Sequence, residues 1–294
     1  MNHKSHQPLL GAFWMVLAGA CFAVVNTMTQ YLGSVLQMPS TVVAFYQYLL
    51  SLLIMLPWIL LSGMGQALKT NQFGMHVVRV LFSVIGIQFW VWALAVPIPI
   101  WQAIALVMTS PLFATIGSAL FLKEHVGMAR WFATVVGFIG SLIILRPWSD
   151  DFQLATLLPI AAAFFWAGYS VMVKYMSKTE SDASIVVYLL LLITPFNLLL
   201  ALPQLQLPGK DSWWLLLISG ALVGIAQWSI AKAYRHADAS FVQPFDLVKL
   251  PLNVLAGWLV FNYAPPGNLW LGAAMIVGAT LFILYREHNG KQIK

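Results

Sequence analysis

Apolar stretches of about twenty residues each, divided by connections too short to hold a domain, run through this chain from residue 9 to residue 286. Hydrocarbon offers no partner for a peptide N–H or C=O, so segments of this length resolve as helices that satisfy their own backbone. Ten are expected, over residues 9–33, 40–62, 76–96, 100–121, 128–146, 155–176, 183–202, 213–234, 240–261 and 267–286. Breakers mark the boundaries, at Met38-Pro39-Ser40, Pro97-Ile98-Pro99, Pro147 to Asp151, Leu207-Pro208-Gly209 and Pro265-Pro266-Gly267. The expected fold class is an all-α membrane protein with ten transmembrane helices. Composition agrees: 61% of residues are hydrophobic and 8% charged, with a mean hydropathy of +0.83, where soluble chains average about 45–50% and 25%. The first segment is too long for a signal-peptide core and lacks a cleavage pattern, so it is expected to remain as the first span.

The basic residues set an expected orientation. With the amino terminus inside, the cytoplasmic ends collect Lys4, Lys69, Arg79, Lys123, Arg130, Lys174, Lys178, Lys232, Arg235, Arg286, Lys291 and Lys294, and the other side only Arg146 and Lys210. Lys and Arg are retained in cytoplasmic loops, so both termini are expected in the cytoplasm. The net charge of +6 is thereby a topology signal and not a nucleic-acid surface. The lipid bilayer is the expected surround, with the chain as monomer or homodimer; Gly220 and Gly224 fit a close helix contact but argue only weakly for a dimer.

Pro111, Gly117, Phe121 and Gly127 recur 140 positions later as Pro251, Gly257, Phe261 and Gly267. Ala18, Ala23, Met28 and Tyr31 recur 144 positions later as Ala162, Ala167, Met172 and Tyr175. Two five-helix repeats are expected, residues 1–150 and 151–294. Five is odd, so the second enters from the opposite side and the repeats are inverted. In carriers of this plan, substrate binds near the midplane at interrupted helices, which the matched Pro111 and Pro251 would mark.

One run, QPFDLVKLPLN at 243–253, places a carboxylate and an ammonium deep in an apolar span. Ionisable groups there cost about 2.5–3.5 kcal/mol each on insertion scales and face a bundle interior or a polar cavity. At about 100° per residue, Gln243, Asp246, Lys249 and Asn253 share one helix face, while Pro244 and Pro251 lie opposite and favour a kink. Asp246 and Lys249 neutralise each other, or else meet a zwitterionic or charged solute; Asp246 is also a candidate for proton exchange. Further polar groups at depth are Asn26, Thr27, Gln30, Gln47, Gln88, Gln102, Thr109, Tyr169, Ser170 and Gln227, each serving as interhelical glue or ligand contact. Trp90, Trp92, Trp166 and Trp228 either face lipid or stack on a planar ligand.

No catalytic set is visible. Cys21 is isolated, and the six histidines fall in loops or at span ends, where none joins a metal centre or a mid-membrane proton relay. No nucleotide loop, metalloprotease helix or nucleophile elbow is present. Neither cofactor nor metal is expected; the expected partner is a small-molecule substrate.

Three stretches, CFAVVNTMTQYL (21–32), ALVMTSPLFATIGSALFLKEHVGMARWFATVVGFIGSLIILRP (105–147) and QPFDLVKLPLNVLAGWLVF (243–261), resemble the EamA-type members of the drug/metabolite transporter superfamily. That resemblance implies a secondary carrier with a central cavity lined by the first, third, fourth, sixth, eighth and ninth spans. It makes Asn26, Gln88, Thr109, Tyr169, Gln227, Asp246 and Lys249 positions to test, with Gln243, Asn253 and Trp166 beside them. ALKTNQFGMHVVR (67–79), RWFATVVGFIGSLIILRP (130–147) and GATLFILYREH (278–288) look like the S-adenosylmethionine uptake carriers; riboflavin carriers and metallophore exporters are also similar. Gln47, where relatives often have Arg, and Ala264, where they often have Glu, depart from the pattern. The implied function is a secondary transporter for a small polar or amphiphilic metabolite, S-adenosylmethionine-like solutes first, with riboflavin uptake or efflux of amino acids, metallophores or drugs as alternatives. A membrane scaffold and a membrane enzyme are the readings outside transport.

Overall fold

A computed structural model describes residues 7–61, 68–95, 100–107, 109–124, 126–145, 148, 154–246, 248–262 and, of the last segment, residues 267, 270–272, 274–275, 278–279, 281–282 and 285. The breaks at Pro97 to Pro99, Pro147 and Ser149 to Asp151, and Pro265-Pro266, with His125, Arg146 and Ala264, lie outside them.

Among the described residues the structure is helical and contains no strand. The helices are α1 (Pro8–Ser34), α2 (Ser40–Leu61), α3 (Phe73–Ala95), α4 (Ile100–Val107), α5 (Ser110–Phe121), α6 (Met128–Leu145), α7 (Leu157–Met176), α8 (Asp182–Ala201), α9 (Lys210–His236), α10 (Ala239–Asp246) and α11 (Lys249–Phe261). The described residues between 267 and 285 are helical too. Among the described residues, seven helices are long and apolar enough to cross a membrane, the α10–α11 pair counted as one. Large apolar side chains such as Phe13, Trp92, Phe121, Leu199 and Leu259 stand exposed on the outside. Hydrocarbon, unlike water, asks nothing polar of that surface.

Contacts at the helix ends give the up-and-down order. The Gln7 N–H donates to the His236 carbonyl (3.1 Å), so the start of α1 sits beside the end of α9. At this same end Thr70 and Gln72, before α3, bond Glu180 and Thr179, between α7 and α8. At the opposite end Tyr46 of α2 donates to the Gln206 carbonyl (3.2 Å). The first end, which carries most of the described Lys and Arg, is called the basic end below. Laterally, α1 packs along α9, α3 along α7, and α2 between α8 and α9.

Glycine decides one of these contacts. A Cβ on Gly220 would stand 2.8 Å from Leu50 Cβ and 3.2 Å from the Gln47 carbonyl; one on Gly224 would stand 2.8 Å from Met55 Cγ. The Gly220/Gly224 stripe is therefore spent inside the molecule, on α2.

Two apolar segments are broken. α4 ends at Val107 and α5 starts at Ser110; α10 ends at Asp246 and α11 starts at Lys249. At both breaks the ladder tightens to i→i−3, with Thr109 N–H on the Leu106 carbonyl (3.0 Å) and Val248 N–H on the Phe245 carbonyl (3.3 Å). Pro111 and Pro251 fall in the first turn after each break, where a helix N–H has no intrahelical partner to lose.

Candidate substrate cavity

A cavity of about 260 Å³ lies at the level of the breaks. Its wall reads as helix faces: Phe22, Asn26 and Thr29 on α1; Ser40, Ala44, Gln47 and Tyr48 on α2; Ser83, Ile87 and Trp90 on α3; Trp166, Tyr169 and Ser170 on α7; Val223, Gln227 and Ile230 on α9. Steps of three and four are the spacing at which helical side chains stack on one side. The broken segments supply Ile104, Val107, Ser110, Asp246, Lys249 and Asn253. Small-molecule sites span about 300–1,000 Å³, so this one, just below that range, has room for at most a single metabolite and little water.

One flank of the cavity is ionic and amide-lined. Lys249 Nζ pairs with Asp246 across the break, each side chain being 14% exposed. The ammonium also lies 5.0 Å from the Phe22 ring centroid, a favourable cation–π placement. Asn26 donates to Asn253 Oδ1 (3.0 Å), and Asn253 in turn donates to the Lys249 carbonyl (2.7 Å), one turn back along α11. Gly19 gives the lysine its room, since a Cβ there would stand 3.2 Å from Lys249 Cγ.

The other flank is aromatic. Trp90 and Trp166 stand with ring centroids 6.1 Å apart and planes at 50°. Trp166 Nε1 donates to the Ser83 carbonyl (3.3 Å), and its indole occupies the notch left by Gly86, where a Cβ would come within 2.6 Å of it. Tyr169 donates to Gln227 Oε1 (3.2 Å), joining α7 to α9 on the floor.

Of the residues expected from the sequence, Asn26, Trp166, Tyr169, Gln227, Asp246, Lys249 and Asn253 line this cavity and three do not. Gln243 is buried against the Tyr234 hydroxyl. It shares α10 with Asp246 but stands about 60° round the helix and one turn nearer the basic end, where the Tyr234 hydroxyl takes its amide in place of the cavity. Thr109 turns its hydroxyl back onto the Leu106 carbonyl (2.8 Å). Gln88 adjoins Ile87 but points about 100° round the helix from the lining face. Among the tryptophans, Trp92 is exposed, and Trp228 stands outside the lining with Lys232 Nζ 4.9 Å from its ring. The second span, absent from the expected lining, contributes four residues, of which Tyr48 had not been singled out at all; Thr29, Ser83 and Ser110 are similar additions.

Arg79 needs a larger correction. Counted from the sequence as a marker at a cytoplasmic end, it is 0% exposed, as is His76. Its Nη2 donates to the Ile185 carbonyl (2.6 Å) and lies 2.9 Å from His76 Nδ1, and its guanidinium carbon stands 5.8 Å from the centroid of Tyr169. Lys174, counted likewise, is buried with Nζ on the Tyr234 and Ala237 carbonyls, capping α9. The signal was legible, because Arg79 lies within the expected span 76–96.

Among the described residues no cluster of His, Cys, Asp and Glu is placed to hold a metal. The arrangement offers stacking, amide hydrogen bonds and a self-neutralised charge pair, which suits reversible binding of an aromatic, polar solute.

Comparison with known proteins places these features in a family context. The model of the EamA-like transporter family matches residues 9–146 and 153–285. A protein of Vibrio cholerae serotype O1 named riboflavin transporter is 62% identical over 283 residues, 96% of this chain and 95% of that one. The S-adenosylmethionine uptake transporter of Rickettsia prowazekii is 30% identical over 294 residues, 100% of this chain and 99% of that one. A solved crystal structure at 20% identity shares the fold, with a TM-score of 0.73 over 94% of this chain and 95% of its own.

Proposed function

The chain belongs to the EamA-like transporter family, and from that premise we propose that it carries riboflavin, or a close flavin analogue, across the bacterial inner membrane by alternating access. The observation that carries this is the 62% identity, along nearly the whole of both chains, to the Vibrio cholerae riboflavin transporter. It reverses the order expected from the sequence, which put S-adenosylmethionine first: the relatives of that name stand at about half the identity.

The cavity supports the same reading. Riboflavin is an uncharged, planar three-ring system with a polyhydroxyl tail. Trp90 and Trp166 supply faces for the rings, and burying such an aromatic surface against indole is favourable. Asn26, Asn253, Gln227, Tyr48 and Tyr169 supply donors and acceptors for the ring edge and the tail. Asp246 and Lys249 satisfy each other, so an uncharged solute enters without leaving either ion unpaired. A zwitterion parting that pair is the second reading, favoured only by the pair's position on the wall.

Two inverted repeats and cytoplasmic termini belong to this proposal. Exchanging the halves turns the α1–α9 contact into the α7–α3 contact and leaves α2–α8 unchanged, and all three occur. The test is uptake by purified protein in liposomes, with labelled riboflavin and labelled S-adenosylmethionine in parallel. Saturable riboflavin uptake, displaced by unlabelled riboflavin and absent for S-adenosylmethionine, is the expected result. The converse pattern hands the function to the second reading.

A further inference from the structure

Among the described residues, the cavity meets the surface at one end of the bundle. Ser40, the first residue of α2, lines it and is exposed. Toward the basic end the wall closes at Tyr48, Tyr169 and Ile230, and beyond them Met15, Arg79, Tyr234, Phe241 and Phe245 are among the largest side chains buried almost completely. These residues come from four helices, α1, α3, α9 and α10, so the closure is made by helices meeting and not by one lid.

Outside this plug, and reaching into it through Arg79, lies a polar belt whose bonds run between elements. Arg79 of α3 holds the Ile185 carbonyl of α8. Glu180, between α7 and α8, accepts from Thr70 (2.7 Å) and has its own carbonyl bonded by Arg235 of α9 (2.7 Å); its carboxylate stands 3.9 Å from His76 Nε2. Asp182 joins the belt through Lys232 (2.9 Å) and Arg235. Burying a guanidinium is expensive, and Arg79 sits where it touches both the cavity-lining Tyr169 and this belt.

We propose that Arg79 and the Glu180 belt latch the basic end shut, and that this structure is the state in which the cavity opens only at the Ser40 end. The inference rests on the flavin reading for its probe but concerns the cycle and not the solute. Arg79, His76 and Glu180 are positioning residues: they touch no substrate, and their bonds must part before the solute leaves at the basic end. Binding from the Ser40 side needs none of them to move.

The two properties separate in one experiment. Thr70→Cys and Glu180→Cys are combined in the full chain and bridged with a short bis-methanethiosulfonate cross-linker, which dithiothreitol cleaves; each single-cysteine variant is treated alike to account for Cys21. The bridge is expected to cut riboflavin uptake into liposomes at least tenfold, to leave quenching of flavin fluorescence by the carrier at its uncross-linked level, and to release uptake on reduction. Cross-linked protein that still transports at the uncross-linked rate overturns the latch, and so does a bridge that abolishes binding. If the wild type neither binds nor carries a flavin, the functional reading fails, and the same bridge tested on uptake of labelled S-adenosylmethionine decides the latch by the same criteria. As a check on the buried member, Arg79→Lys should retain more uptake than Arg79→Met at equal flavin binding; equal uptake for the two speaks against a latching role.

Discussion

At the residue scale, the Asp246–Lys249 pair illustrates how burial turns a local contact into a constraint. Removing one partner leaves the other charge in a poorly solvated site, a loss of about 3–5 kcal/mol in a dry interior and less where one side is a wet cavity. Asp246→Asn and Lys249→Gln should each lower the melting temperature in detergent by several degrees, while the double variant regains most of that loss. Riboflavin uptake should stay impaired in all three, because the Asn253 bond to the Lys249 carbonyl and the lysine's place over Phe22 are shaped by the pair. A double variant as unstable as the worse single would show that the two ions are not coupled. Gly86 offers a second test: Gly86→Ala puts a methyl 2.6 Å from the Trp166 indole, and displacing the ring should weaken flavin binding about tenfold, or 1.4 kcal/mol. Fluorescence titration reads it, and Gly86→Ala with Trp166→Leu should bind no worse than Trp166→Leu alone. The acid and base were legible in the sequence because charge is conspicuous in an apolar run. Tyr48, Ser83 and Ser110 were not, because a hydroxyl in a span serves equally as glue, and only the assembled bundle separates the two uses.

At the scale of elements, the helices were written into the apolar runs, but the breaks were only partly so. Pro111 and Pro251 pointed to interrupted segments, yet each proline sits in the first turn after the break and not at it. What turns the chain is the i→i−3 bonding at Thr109 and Val248, a local tightening that often marks a hinge. Gln243 was misplaced for a different reason: it precedes the break on the same helix as Asp246, but a turn nearer the basic end, where the Tyr234 hydroxyl takes its amide. The pairing of α2 with α9 makes a separate, quantitative claim. Gly220 lets Leu50 and the Gln47 carbonyl approach α9 more closely than any side chain permits. Gly220→Val should cost about 1–3 kcal/mol as overpacking, seen as a lower melting temperature; because Gln47 lines the cavity and donates to Thr29 (2.8 Å), flavin affinity should fall with it. Gly74, with nothing within 4 Å of its added Cβ, is the control, and Gly74→Val should leave affinity unchanged.

At the scale of the whole molecule, the excess of Lys and Arg did two jobs that the sequence could not tell apart. Lys69 and Lys178 stand where a topology signal would, exposed at the basic end, while Arg79 and Lys174 are drawn inside, onto backbone carbonyls of α8 and α9. A count of basic residues by loop registers both kinds identically, so it predicts which way the chain faces and says nothing of how one end is held closed. The two consequences meet in a labelling experiment on intact cells with a membrane-impermeant maleimide. Ser40→Cys, at the mouth of the cavity, should react from outside and be protected by riboflavin, whereas Lys178→Cys should react only after the cells are opened. Reaction of Lys178→Cys in intact cells would invert the orientation and place the latch on the outer face. Protection is the sharper arm: Ser40 lies at the rim and not against the Trp90–Trp166 wall, so shielding by a bound flavin requires the solute to fill a cavity of about 260 Å³ from wall to mouth, and Lys210→Cys, exposed at the same end but outside the lining, should react without any protection.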